Sequence, residues 1–143
     1  MTVRAILALK GRECLTIMPD ATLAEAARLM TKHRIGSLVI TGPERRVVGI
    51  LSERDIVGAM AQKGELALVL PVASAMTRDV VTCEEDETIP DLMQRMTAGR
   101  FRHVPVVERG QLAGIVSIGD VVKLRLAELE REHEALREYI ATA

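Results

Sequence analysis

The chain has 143 residues and a formal net charge of −1, from 19 basic and 20 acidic side chains. That length suits one compact domain or two very small ones, and the balanced charge is not that of a general nucleic-acid binder. Apolar residues make up 48%, yet Phe101 and Tyr139 are the only aromatics, so the core is expected to be aliphatic and platforms for stacking bases are lacking.

Residues 1–14 carry a short apolar patch interrupted by Arg4 and Lys10, without the layout of a signal peptide. No apolar run in the chain is long enough to span a bilayer, so no membrane partner is expected. Cys14 and Cys83 lack metal-ligand spacing, and the histidines at 33, 103 and 133 do not cluster with them. Free thiols, no metal site and a cytoplasmic location are therefore expected.

A strand is predicted at 14–17. A helix follows, because Leu23, Ala26, Ala27 and Met30 recur at i, i+3, i+4 and i+7. Thr22 and Glu25 form the pattern of an N-terminal capping box. Strands at 37–40 and 47–51 flank the polar turn 41–46, and a second helix starts near Ser52–Asp55 and ends near Gly64. Residues 64–77 connect, with Pro71 at the junction. The order then repeats: a strand at 80–83, a helix through Ile89, Leu92, Met93 and Met96, strands at 104–107 and 112–116, and a helix from Ser117–Asp120. Thr88 with Asp91 matches the first capping pair, and Pro90 sits in the first turn, where its missing N–H costs little. The continuous apolar runs predict strands covered on both faces.

The repetition is residue by residue. At an offset of 66, Thr16 meets Thr82, Asp20 meets Asp86, Thr22 meets Thr88, Met30-Thr31 meets Met96-Thr97, and Arg34 meets Arg100. At an offset of 65, "GILSERDIV" (49–57) meets "GIVSIGDVV" (114–122). Each copy reads β-α-β-β-α, and roughly 55–60 residues hold too little core to be comfortable alone. The expected fold class is α/β (α+β), with repeats at 1–66 and 67–125 and a helical extension over 126–143. In that extension Val122, Leu126, Leu129, His133, Leu136 and Ile140 form a heptad seam, expected to pack on its own or a partner module, with His133 a half-exposed packing residue.

The doubled pattern, the "G-apolar-x-S-x-x-D" signatures at 49–55 and 114–120, "AMT" at 75–77 and "RHVPVV" at 102–107 together resemble tandem CBS (cystathionine-beta-synthase) domains, the paired unit called a Bateman module. The resemblance covers roughly residues 1–125. It implies two sheets about a pseudo-twofold axis, clefts between the repeats that bind adenine nucleotides such as AMP, ADP, ATP or NAD, and a flat, disc-like homodimer. It also implies that Asp55 and Asp120 meet ribose, that backbone near Thr16, Ile17 and Thr82 frames adenine, and that basic residues at the "RHVPVV" positions meet phosphate.

The residues themselves leave several roles open. Ser52 and Ser117 can cap their helices or meet an anion at the helix N-terminus, and both can coexist. Arg54 reads as a phosphate partner or a solvated side chain, and Ile118 as a purine face or a core residue. Thr77 reads as a ligand contact or a cap. Arg34 matches Arg100, but Gly36 and Ser37 stand where the second copy has Arg102 and His103, so the clefts are expected to differ in phosphate selectivity. Strand alternation sends Arg102 and His103 to opposite faces; Pro105 follows in the same strand and is counted with the cleft residues. No acid/base pair, nucleophile or phosphate loop stands out, so no catalysis is expected. The reading is a regulatory module that senses adenine nucleotides and signals to an unidentified output protein. The alternative is a dimerisation or adaptor module with vestigial clefts.

Overall fold

The structure, a computed structural model, describes residues 1–142. The elements in chain order are α1 (Val3–Lys10), β1 (Thr16–Ile17), α2 (Leu23–His33), β2 (Ser37–Thr41), β3 (Val47–Ser52), α3 (Glu53–Lys63), α4 (Ile89–Gly99), β4 (His103–Glu108), β5 (Gln111–Ser117) and α5 (Ile118–Thr142). Short 3-10 turns carry the chain over 43–45, 64–69 and 72–74.

Local chemistry sets the helix starts. Thr22 accepts from the Glu25 amide at 3.2 Å and Glu25 returns a bond to the Thr22 amide, a complete capping box. Ser52 and Asp55 do the same for α3. In α4 the pair is half made: Thr88 accepts from the Asp91 amide at 3.3 Å, with no return bond. Both α2 and α4 end in a left-handed residue, Arg34 (φ 55°) and Arg100 (φ 57°). The two matched arginines are thus helix C-caps, where a cation also complements the helix dipole.

The sheets are unequal. β1 runs parallel to β2 (Thr16 opposite Val39), and β2 runs antiparallel to β3. In the second copy β4 and β5 pair antiparallel, but the expected strand at 80–83 contracts to a single parallel bridge, Cys83 to Val106. The Cys83 amide donates to Pro105 O at 3.0 Å and its carbonyl accepts from the Val107 amide at 2.9 Å. One residue earlier the Thr82 carbonyl turns to Arg95, which donates to it at 2.8 Å and is itself held by Glu87. The next parallel ladder bond would run from the amide of residue 105 to the Val81 carbonyl, and Pro105 has no amide hydrogen to give. Both two-stranded ladders slip register at matched places, Ile40/Thr41 and Val106/Val107.

Burial refines the two-faced expectation. The centres of β2 and β4 are buried throughout, whereas β3 and β5 alternate buried and half-buried residues. Two aliphatic cores form. One joins Leu23, Ala26 and Met30 of α2 to Leu38, Ile40, Leu51 and Ile56; the other joins Ile89, Leu92 and Met96 of α4 to Val104, Val106, Val116, Val121 and Leu124.

The covers of these cores are exchanged. Val3, Ile6 and Leu7 of α1 pack in the core of the second copy, while Ala67 and Val72, beyond the first copy's last helix, pack in that of the first. Backbone bonds secure each arm: Val3 donates to Glu87 O at 2.9 Å, and Val72 donates to Ala21 O at 2.7 Å. The sequence repeat and the packing unit therefore have different boundaries. The arms cross their sheets over the repeated glycines. A Cβ on Gly49 would lie 2.5 Å from Met76 Sδ and 3.1 Å from Thr77 O; one on Gly114 would lie 2.8 Å from a methyl of Leu7.

Candidate functional site

The N-caps of α3 and α5 stand at the ends of β3 and β5, opposite the first residues of β2 and β4. Ser37 faces Ser52 in one ladder, and His103 faces Ser117 in the other. The matched pairs differ by one side chain, a serine against a histidine. Between the repeats lies a cleft of about 340 Å³ whose walls include Ser37 and Ile35 from the first copy, His103, Ile115 and Ser117 from the second, and Lys10, Cys14 and Leu15 from the segment before β1.

Electrostatics at this cleft centre on Lys10. Its ammonium donates to Ile115 O at 3.0 Å and to Asp120 Oδ2 at 2.7 Å. The same Oδ2 accepts from the Ser117 amide at 2.9 Å, while Ser117 Oγ accepts from the Asp120 amide at 3.1 Å. Asp120 is therefore a helix cap and an ion-pair partner at once. Burial pushes its carboxyl up, but the Lys10 hydrogen bond and those from Ser117 outweigh that and hold it below the ordinary carboxylate value. Asp55 makes the matching cap to Ser52 (2.8 Å to the amide, 3.1 Å to Oγ) without a lysine. Among the described residues, Oδ1 of both aspartates takes no hydrogen bond.

His103 enters the cleft with its pKa lowered, first by burial and then by the charges of Lys10 and Arg102, against the pull of Asp120. At neutral pH it is an uncharged imidazole that both donates and accepts. Burial also pushes the Cys14 thiol up, against Arg45 and Lys10. Cys83, buried in the second core, is pushed up to about 12 by burial and by Glu87.

The structure brings Ser37, His103 and Ser117 to one cleft, with Asp120 attached through Lys10. The other residues singled out from sequence lie elsewhere. Arg102 is exposed, and its carbonyl accepts from the Ile118 amide at 2.8 Å; Gly36 receives the Glu53 amide at 3.0 Å in the matched turn. Arg34 and Arg100 are exposed at their caps, and Arg54 is exposed on α3. Pro105 is buried in β4, and Ile118 packs against the second core. Thr16 and Ile17 are half-buried on the edge strand of their sheet. Thr77 and Ile50 exchange backbone bonds at 2.8 and 3.0 Å, so Thr77 joins β3 rather than capping a helix.

Sequence reasoning missed Lys10, Cys14, Leu15, Ile35 and Ile115. A signal for Lys10 exists. At the same offset of 66, "LKGREC" (9–14) meets "AMTRDV" (75–80), which matches Arg12 to Arg78 and sets Lys10 in the place of Met76. Among the described residues no group of three or more His, Cys, Asp or Glu is placed to hold a metal ion, and no helix is long and apolar enough to cross a membrane.

Comparison with known proteins agrees with this architecture. The CBS domain family model matches twice, at residues 6–62 and 72–127. The crystal structure of a CBS-domain containing protein from Agrobacterium tumefaciens superposes with a TM-score of 0.81 at 49% identity, covering 87% of this chain and 92% of that one. The CBS domain pair of protein MJ0100, solved in complex with 5′-methylthioadenosine and S-adenosyl-L-methionine, superposes with a TM-score of 0.78 at 29% identity over 90% of this chain and 98% of that one. A mitochondrial CBS domain-containing protein of Arabidopsis thaliana is 31% identical over 97% of this chain and 71% of its own length. An uncharacterized protein of Acidianus ambivalens is 41% identical over 77% of this chain, which spans 66% of that relative. Against a longer Arabidopsis CBS domain-containing protein, 32% identical, the chain spans 24% of the length.

Proposed function

We propose that this chain, which belongs to the CBS-domain family and carries two copies of the domain, is a regulatory module that binds an adenine nucleotide between its repeats. The observation that carries the reading is the cleft in which Ser37, His103 and Ser117 converge beside the Asp120 carboxylate. The Oδ1 of Asp120 suits a ribose hydroxyl. Ile35, Ile115 and Leu15 offer an aliphatic bed for a purine in a chain with no aromatic there. The neighbour solved with two adenosine-containing ligands supports the ligand class.

Lys10 favours the phosphorylated members of that class, AMP, ADP, ATP or NAD. A ribose that takes Asp120 competes with the lysine, and a ligand phosphate gives the released ammonium a new partner. A charge-assisted bond of that kind contributes on the order of 1.5–3 kcal/mol. Binding becomes a signal when the ligand prefers one arrangement of the repeats or of a dimer. The exposed apolar residues Val57 and Met60 on α3, and Val122 and Leu126 on α5, support a homodimer joined through these helices. The receiver of the signal is a separate output protein.

Thermal unfolding against AMP, ADP, ATP, NAD, S-adenosylmethionine and adenosine tests the reading. A ligand at a hundred times its Kd stabilises by about 2.7 kcal/mol. We expect an upward shift of Tm with at least one phosphorylated member and a smaller one with adenosine. No shift with any of the six at millimolar concentration overturns it.

A further inference from the structure

We propose that the exposed seam of α5 is covered by the same seam of a second copy of this chain, lying parallel and in register. The dimer proposed above supplies the second copy; the seam supplies its place and direction.

α5 runs for 25 residues, and Val121 and Leu124 bury its own-module side. From Leu129 onward every described residue is exposed, so about 20 Å of helix stands clear of the module. Of the two alternatives expected from sequence, packing on its own module or on a partner module, the first is not seen along this stretch, and His133, expected to be half-exposed, is exposed. Along this stretch Leu126, Leu129, Leu136 and Ile140 remain 56%, 44%, 56% and 67% exposed, on one stripe. A single helix of this length is marginal in water without a packed face.

The charges select the partner. Between 123 and 140 there are four basic and five acidic side chains, which disfavours an anionic membrane surface. With Val122, Leu129 and Leu136 at d and Leu126, His133 and Ile140 at a, the flanking g and e positions are Arg125, Glu130, Glu132 and Arg137. In a parallel pair, Arg125 meets Glu130 of the second copy and Glu132 meets Arg137, each twice by symmetry. Arg125 then exchanges its intrachain Glu128 contact at 3.0 Å. An antiparallel pair covering the whole seam sets Glu130 against Glu130, Glu132 against Glu132 and Lys123 against Arg137. Sliding it one heptad removes those clashes and uncovers Val122 and Leu126. The lone polar layer at His133 matches itself in the parallel register, as a polar a position does when it sets alignment.

Leu129→Cys and Leu136→Cys, each made in the full chain and mildly oxidised, read the geometry on a non-reducing gel. Each variant is expected to form a covalent dimer by itself while the unaltered chain does not. A covalent dimer that appears only on mixing Leu129→Cys with Ile140→Cys overturns the parallel register. No cross-link in any arm overturns the seam. Sedimentation gives a second reading: Arg137→Glu, which sets like charges opposite Glu132, is expected to weaken the dimer roughly threefold to tenfold. Adding Glu132→Arg is expected to restore it; a monomeric unaltered chain, or a double variant no tighter than the single, overturns the proposal. The ligand panel reads the clefts independently, so the seam and the nucleotide reading fail separately.

Discussion

Lys10 is the residue on which the two halves of the cleft part company. Its counterpart Met76 carries no charge, so Asp55 caps its helix alone while Asp120 caps one and pairs with an ammonium. The pair is partly exposed and contributes about 0.5–1 kcal/mol. Because the folded pKa of Asp120 lies below its ordinary value, that contribution is present above the unfolded value near 3.9 and is lost as pH falls through the folded one. Lys10→Met should therefore lower Tm at pH 7 and flatten the loss of stability as pH falls below about 4. It should also reduce the preference for phosphorylated over bare nucleoside. A variant with the unaltered acid profile would show that the pair is not held in solution. Among the neighbouring basic residues Arg100, Arg102 and His103, His103 alone faces the cleft, Arg100 is a helix cap and Arg102 meets solvent. A matched arginine in two repeats looks like a binding signature, but here each is an exposed helix C-cap, where a cation complements the helix dipole.

At the scale of elements, most of the chain was legible, because a helix start is decided within four residues. Thr22 with Glu25 and Ser52 with Asp55 form the boxes their spacing predicts. The strand at 80–83 contracts to one bridge because Pro105, next along β4, has no amide hydrogen for a further parallel bond. The glycines of the repeated signature acquire a reason as well, since an arm of the other repeat crosses each. Gly49→Ala should destabilise by about 1–3 kcal/mol in urea unfolding, because the Thr77 carbonyl 3.1 Å from the new Cβ belongs to a paired backbone. Gly58→Ala, inside α3 with nothing within 4 Å of the new carbon, should stabilise by about 0.5–1 kcal/mol. The same substitution with the same sign at both positions would refute the crossing-arm account.

Because neither repeat owns its cover, the molecule as a whole is expected to unfold as one cooperative unit. Residues 67–125 taken alone lack Val3, Ile6 and Leu7, which close the second core. That fragment should show little helical circular dichroism, and mixing it with residues 1–66 should recover the signal. An independently folded 67–125 would contradict the exchange. In the intact chain Leu7→Ala should cost about 2–5 kcal/mol and still unfold in a single transition.

The sequence by itself determined the two repeats, most of their helices and strands and the aliphatic character of the core, because periodicity and capping act over a few neighbouring residues; it did not show helix α1 or the contraction of the strand at 80–83. Its motifs also pointed to the family and to Ser117, Asp120 and His103. Tertiary structure alone decided which core each arm closes, which side chain of "RHVPVV" turns inward, and that Lys10 reaches Asp120, 110 residues away in the chain. Such meetings depend on the path of the whole backbone, and no local pattern of residue types encodes that path.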